Sequence, residues 1–112
     1  MNYEIYQVHI SREEYRKIDA MDDPYQDPKY KAYRQNAFTE NFAAMSGFYS
    51  KVAEIEAENL DEVFQIGNIG PEDKIVRYAP MHSISVGDII VDEDGREFGV
   101  AAVGFEEIVG VI

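Results

Sequence analysis

The chain predicts a single α+β domain: an antiparallel sheet of about four to five strands with two or three helices on one face. Three observations predict it. Tyr3–Ile10 and Tyr49–Glu58 alternate between two faces with a period of two residues. Asp94-Gly95 separates two apolar runs, Ile89–Val91 and Phe98–Val103, as the turn of a β-hairpin does. Between these strand-like segments lie three stretches that each open on a helix-capping residue.

The first strand covers about 3–10, with Tyr6, Val8 and Ile10 as its core-facing row. Ser11-Arg12-Glu13-Glu14 reads as a capping box, in which a hydroxyl and a glutamate three residues on satisfy each other's backbone N–H groups. It opens a helix that runs to about Met21. Asp27 before Pro28 is a second helix start, with proline at the first helical position where no N–H is needed. Tyr30, Tyr33, Ala37, Phe38, Phe42 and Met45 recur at helical spacing, which predicts a helix over 28–46. In the second strand, 49–58, Ala53, Ile55 and Ala57 share one face and Glu54, Glu56 and Glu58 the other. Asn59 caps a helix over 60–67. Gly70-Pro71 and Ala79-Pro80 make 68–81 a loop with an extended piece at 75–78. At Gly87-Asp88 the glycine supplies a backbone shape closed to other residues, and Asp88 is placed to bond nearby amides. Hairpin strands over 87–92 and 97–103 follow, then a last strand over 105–111.

Charge is distributed unevenly. The chain carries 22 Asp and Glu against 10 Lys and Arg, a net charge of −12. Residues 1–51 hold 8 carboxylates and 7 Lys/Arg, whereas residues 52–112 hold 14 and 3. An acidic half repels phosphate, which argues against direct nucleic-acid or membrane-surface binding. It attracts a basic protein surface instead. The candidate protein-binding residues are Glu54, Glu56 and Glu58 along one strand face and Asp92, Glu93 and Asp94 at the hairpin tip, with Glu106 and Glu107 extending the patch. Carboxylates at alternate strand positions stand roughly 6.5–7 Å apart, so the row imitates a phosphate track in sign. A simple solvated face is the plain alternative.

Little in the sequence points to catalysis. There is no cysteine, which excludes disulfides, thiolate metal sites and a cysteine nucleophile. His9 and His82 have no metal-type partner spacing, so no metal and no cofactor is expected. Asp92-Glu93-Asp94-Gly95 lacks the ligand spacing of a calcium loop, and Gly67-Asn68-Ile69-Gly70 lacks the lysine and length of a phosphate loop. A candidate loop site remains at Arg77, His82, Ser83, Ser85 and Asp88, where polar residues collect at a loop-to-strand transition. No run reaches membrane-span length, and the N-terminal ten residues lack a basic segment followed by a continuous apolar one. A cytoplasmic protein is expected, with homo-oligomerisation left open.

Leu60, Val63-Phe64, Asn68, Arg77, Met81, Ser83, Ser85-Val86-Gly87-Asp88 and Gly104-Phe105 together resemble the YodL-like family. The resemblance covers about 49–108 and leaves 1–48 as a strand–helix–helix extension. It implies a small protein of bacteria, plasmids or phages, sometimes embedded in a larger mobile-element polypeptide. At least one relative is associated with interference with a host cytoskeletal protein, a binding role. The combined expectation is a non-enzymatic, inhibitory accessory protein of a phage or mobile element, acting in the cytoplasm (the host's, if phage-encoded). Its partner would be a host or defence-system protein with a basic surface. The alternatives are a small hydrolase or nucleotide-handling enzyme using the 82–88 loop, and an acidic structural domain.

Overall fold

A central strand with both faces covered organises the molecule. The computed structural model describes residues 1–112, and in it β1 (Asn2–Gln7) lies between β2 (Ser50–Glu56) and β4 (Ile89–Val91). β3 (Ile75–Arg77) flanks β2, while β5 (Glu97–Val100) and β6 (Phe105–Ile108) continue beyond β4. The sheet has six strands in the order β3-β2-β1-β4-β5-β6, and every pairing is antiparallel. The α+β class is as expected, with six strands rather than four to five and three helices. No helix is long and apolar enough to cross a membrane.

Strand alternation divides the core. On one face Tyr3, Ile5, Ile55, Ile90 and Val100 pack against Val63 and Ile66 of α3 (Leu60–Ile69) and against Ile84. On the other, Ile89 and Val91 pack with Phe42, Val111 and the half-buried Tyr6. Phe42 packs closely on β5 because residue 99 is glycine: a Cβ there would stand 2.3–2.6 Å from three ring atoms of Phe42. A third cluster, Val8, Ala37 and Met45, closes the sheet end beyond Gln7.

Local sequence signals set the helix starts. Ser11 and Glu14 form the expected capping box of α1 (Arg12–Asp19). Asp27 caps α2 (Pro28–Asn36) through the Tyr30 N–H, and Asn59 caps α3 through the Glu62 N–H at 2.9 Å. Element ends and faces differ more. The buried row of β1 is Tyr3, Ile5 and Gln7, not Tyr6, Val8 and Ile10. The strand stops at Gln7, so Val8 is buried outside it, against the helical segment. The helix expected over 28–46 ends at Asn36 and resumes as a 3-10 turn over Phe42–Met45. Thr39 donates to the carbonyls of Gln35 and Asn36, and Glu40 turns back at φ 60. That reversal lets Ala37 lie on Gly87 while Phe42 reaches Gly99. The β4–β5 turn has positive φ at Gly95 alone, with Asp92 N–H bonded to Arg96 O at 3.0 Å. The hairpin expected at Asp94-Gly95 is present and turns through a three-residue loop.

Candidate functional site

Two features distinguish opposite ends of β1. At its C-terminal end a buried polar knot forms around Gln7, whose side chain is fully buried. Its Nε2 donates to Asp88 Oδ2 at 3.0 Å and to the His82 carbonyl at 2.9 Å, and its Oε1 accepts from His82 N at 3.3 Å. Asp88 Oδ2 also accepts from Ser85 N at 2.9 Å. The loop that carries this knot is shaped by Gly87 at φ 99, where a Cβ would meet Ala37 at 3.1 Å, and by Tyr49, whose hydroxyl donates to the Gly87 carbonyl at 2.5 Å. Burial pushes the Asp88 carboxyl up to about 6, against the opposing pull of the Ser85 N–H, His82 and Gln7.

The His82 imidazole sits against the knot. Its Nδ1 lies 3.2 Å from Gln7 Nε2 and 2.8 Å from the Ser83 carbonyl, and its Nε2 is buried without a partner. Asp88 makes no hydrogen bond to the imidazole, and Gln7 stands between the two. Ser83 meets the ring through its backbone oxygen. The expected loop residues thus divide: His82, Ser85 and Asp88 join through Gln7, while Arg77 and Ser83 share with His82 the wall of a cavity of about 170 Å³. Asn68 and Glu72 complete that wall, and Arg77 is engaged with Glu72 through both guanidinium nitrogens. Serine, histidine and aspartate are near one another without forming a nucleophile–base relay.

Gln7 was not among the residues the sequence singled out. The available signal was a lone amide in register with Tyr3 and Ile5, where burial of a polar side chain demands partners.

At the other end of β1 the acidic residues gather. Register sets Glu56 opposite Asn2, and Glu93 accepts from the Asn2 N–H at 2.5 Å. Asp92, Glu93 and Glu58 all act on the Tyr3 hydroxyl, raising its pKa in addition to the larger effect of burial. Glu56, Glu58, Asp92 and Glu93 therefore lie around the Asn2–Tyr3 end, where the Met1 ammonium donates to the Ala57 carbonyl at 2.9 Å, with Asp94 next along the turn, and none of the five is in a side-chain salt bridge. Arg96, close by, is held by Glu107 at 2.6 Å. Asp92 also organises the turn, accepting from the N–H groups of Asp94 and Arg96 at 3.0 and 2.9 Å.

Glu54 does not belong to this group. It is half-buried, accepts from the Tyr78 hydroxyl and the Asn2 amide, and pairs with Lys51 at 3.1 Å. The Tyr78 hydrogen bond first, then Lys51 and Asn2, hold its carboxyl below the usual range. Lys51 also pairs with Glu4 at 2.8 Å, directly across from Glu54. The row expected over Glu54, Glu56 and Glu58 is thus broken: Glu54 is neutralised, and Glu58 lies beyond the end of β2. No group of three or more His, Asp or Glu side chains is placed to hold a metal ion.

No protein-family model, no curated protein and no solved structure matches this chain.

Proposed function

We propose that the chain is a non-enzymatic binding protein that docks the acidic end of its sheet on a basic surface of a partner protein. The observation that carries this reading is the gathering of Glu56, Glu58, Asp92, Glu93 and Asp94 at the Asn2–Tyr3 end without a lysine or arginine paired to any of them. Glu4, Glu14, Glu54, Glu72 and Glu107, by contrast, are each paired with a lysine or arginine. Unpaired charge on one end focuses the field there and steers a cationic surface toward it. The YodL-like resemblance supplies the context: an inhibitory accessory protein of a phage or mobile element. Its target is a host or defence-system protein whose basic surface otherwise holds nucleic acid.

The test is affinity purification from host extract, then association kinetics on the purified partner. Glu56→Gln, Glu58→Gln and Glu93→Gln combined should slow association at least about tenfold at low salt and flatten the salt dependence. Glu54→Gln, already screened by Lys51, should leave both nearly unchanged. A partner that binds the triple variant with wild-type kinetics at every salt concentration would overturn the reading.

A further inference from the structure

We propose that the free edge of β6 takes up an extended segment of a partner protein as a further antiparallel strand, with a lysine or arginine side chain of that segment laid in the groove beside Glu106. β6 ends the sheet, and no strand pairs with it on the side away from β5. The Val100 N–H bonds to the Asp88 carbonyl at 2.8 Å, and the Val100 carbonyl accepts from the Gly87 N–H at 3.0 Å, both on the side away from β6. The Val100–Phe105 pair is therefore of the kind without hydrogen bonds, and by alternation so is Phe98–Glu107. The N–H and C=O groups of Phe105 and Glu107 thus point off the edge, in the arrangement that strand addition uses.

A groove of about 280 Å³ adjoins β6 on the face that carries Glu106 and Ile108. Phe42, Ile108 and Val111 give it apolar walls, and Glu40 and Glu106 line it as well. Neither glutamate is paired with a lysine or arginine. Glu40 is the one residue other than glycine with a positive φ, at 60, and its carboxylate accepts from the Ala102 N–H at 2.7 Å. The strained backbone there fixes a carboxylate beside the β5–β6 turn. In an added strand the residue opposite Glu106 sets its side chain on this same face. A long aliphatic stem covers the apolar walls, and its cationic head finds carboxylates that the chain's own lysines and arginines leave free. A second copy of this chain does not fit. In the register that bonds Phe105 of each copy to Glu107 of the other, Glu106 faces Glu106, and each copy carries a net charge of −12. The glutamates that keep β6 from pairing with itself are thus the ones a cationic strand satisfies. Strand addition here is independent of docking at the Asn2–Tyr3 end, since β4 and β5 lie between β1 and β6.

The experiment is an NMR titration of the full chain with a capped heptapeptide, threonine and valine alternating around a central lysine, and with its counterpart bearing a central glutamate. The lysine peptide should give saturable shifts at the β6 backbone amides and slow the solvent exchange of the Phe105 and Glu107 N–H groups. It should bind at least about tenfold more tightly than the glutamate peptide, as like charges set side by side are unfavourable. Glu106→Lys should reverse that preference. Glu107→Pro removes one outward N–H at an edge position, where proline is tolerated, and should abolish binding of the lysine peptide. Should that variant fail to fold, the lysine peptide N-methylated on both residues flanking its lysine tests the same backbone bonds, and it should not bind to the wild-type chain. Equal binding of the two peptides, a preference unchanged in Glu106→Lys, or undiminished binding of the N-methylated peptide would overturn the proposal. So would the absence of saturable shifts up to about 10 mM lysine peptide. Sedimentation showing self-association that Glu107→Pro removes would make a second copy the occupant and overturn it as well.

Discussion

Asp88→Asn isolates the titration of the buried knot. Asp88 is 3 % exposed, and burial raises its carboxyl from 3.8 to about 6 in the folded chain. Between those values the folded protein holds a proton that the unfolded chain has released. The contribution of Asp88 to stability is therefore greatest below about pH 4, falls as pH rises toward 6, and is constant above. Two pK units and a fraction, at 1.36 kcal/mol each, give a fall of about 3 kcal/mol. Asparagine keeps an acceptor for Gln7 Nε2 and Ser85 N but cannot ionise. The stability difference between Asp88→Asn and wild type should thus grow in favour of the variant by about 2 kcal/mol from pH 4 to pH 7, the rest of the change lying below pH 4 where the unfolded carboxyl finishes titrating. Urea unfolding of both proteins at several pH values across this range measures it, and the subtraction removes carboxylates common to the two. Glu14 is one of these: its lowered pKa, caused first by the Ser11 N–H, makes it act in the opposite direction. A difference that is flat with pH, or that favours wild type as pH rises, would refute the burial argument.

Other predictions follow from packing and caps. Gly99→Ala sets a methyl group against the Phe42 ring and should destabilise by about 1–3 kcal/mol in denaturant unfolding, with Phe42→Leu in the same chain recovering part of the loss. Gly87→Ala forces a side chain to φ 99 against the Ala37 backbone at 3.1 Å and should destabilise by about 1–3 kcal/mol. Ser11→Ala removes one half of the capping box and should lower stability by about 1 kcal/mol in the same assay.

What the sequence disclosed was local chemistry. Ser11, Asp27 and Asn59 act on N–H groups two or three residues away, so their roles can be read without knowledge of the rest of the chain. The face of β1 could not be read in this way. As a central strand it buries Tyr3, Ile5 and Gln7 on one side and half-buries Tyr6 on the other, so an alternating pattern does not choose between them. Helical spacing continues past Asn36 through Ala37 and Phe42, yet both residues are claimed by glycines 50 and 57 positions away. The same limit applied to the site. Alternation set Glu54 and Glu56 on one face correctly, but it does not show that Glu54 is paired with Lys51, three positions before it, and held by the Tyr78 hydroxyl, 24 positions along the chain. The Gln7–His82–Asp88 knot links residues 75 and 81 positions apart.

The two ends of β1 differ in what their polar residues do for the fold, and this yields a last prediction. At the Gln7 end every hydrogen bond of the glutamine amide is made inside the protein, so the knot holds the loop and the sheet together. At the Asn2 end five carboxylates crowd with no side-chain salt bridge, the Met1 ammonium on the Ala57 carbonyl and Arg96 beside the turn offsetting only part of their charge, so self-repulsion disfavours the folded state. A surface selected for stability alone would intersperse lysines there, as Lys51 is set between Glu4 and Glu54. If the crowding serves docking, removing it should stabilise the chain while abolishing partner binding. The Glu56→Gln, Glu58→Gln, Glu93→Gln variant should melt above wild type at about 0.01 M salt, where charges interact over roughly 30 Å. The two should converge at about 1 M, where the range falls to roughly 3 Å. A variant that melts with or below wild type at low salt would mean that these carboxylates do not repel one another, and the acidic end would then be an ordinary solvated edge.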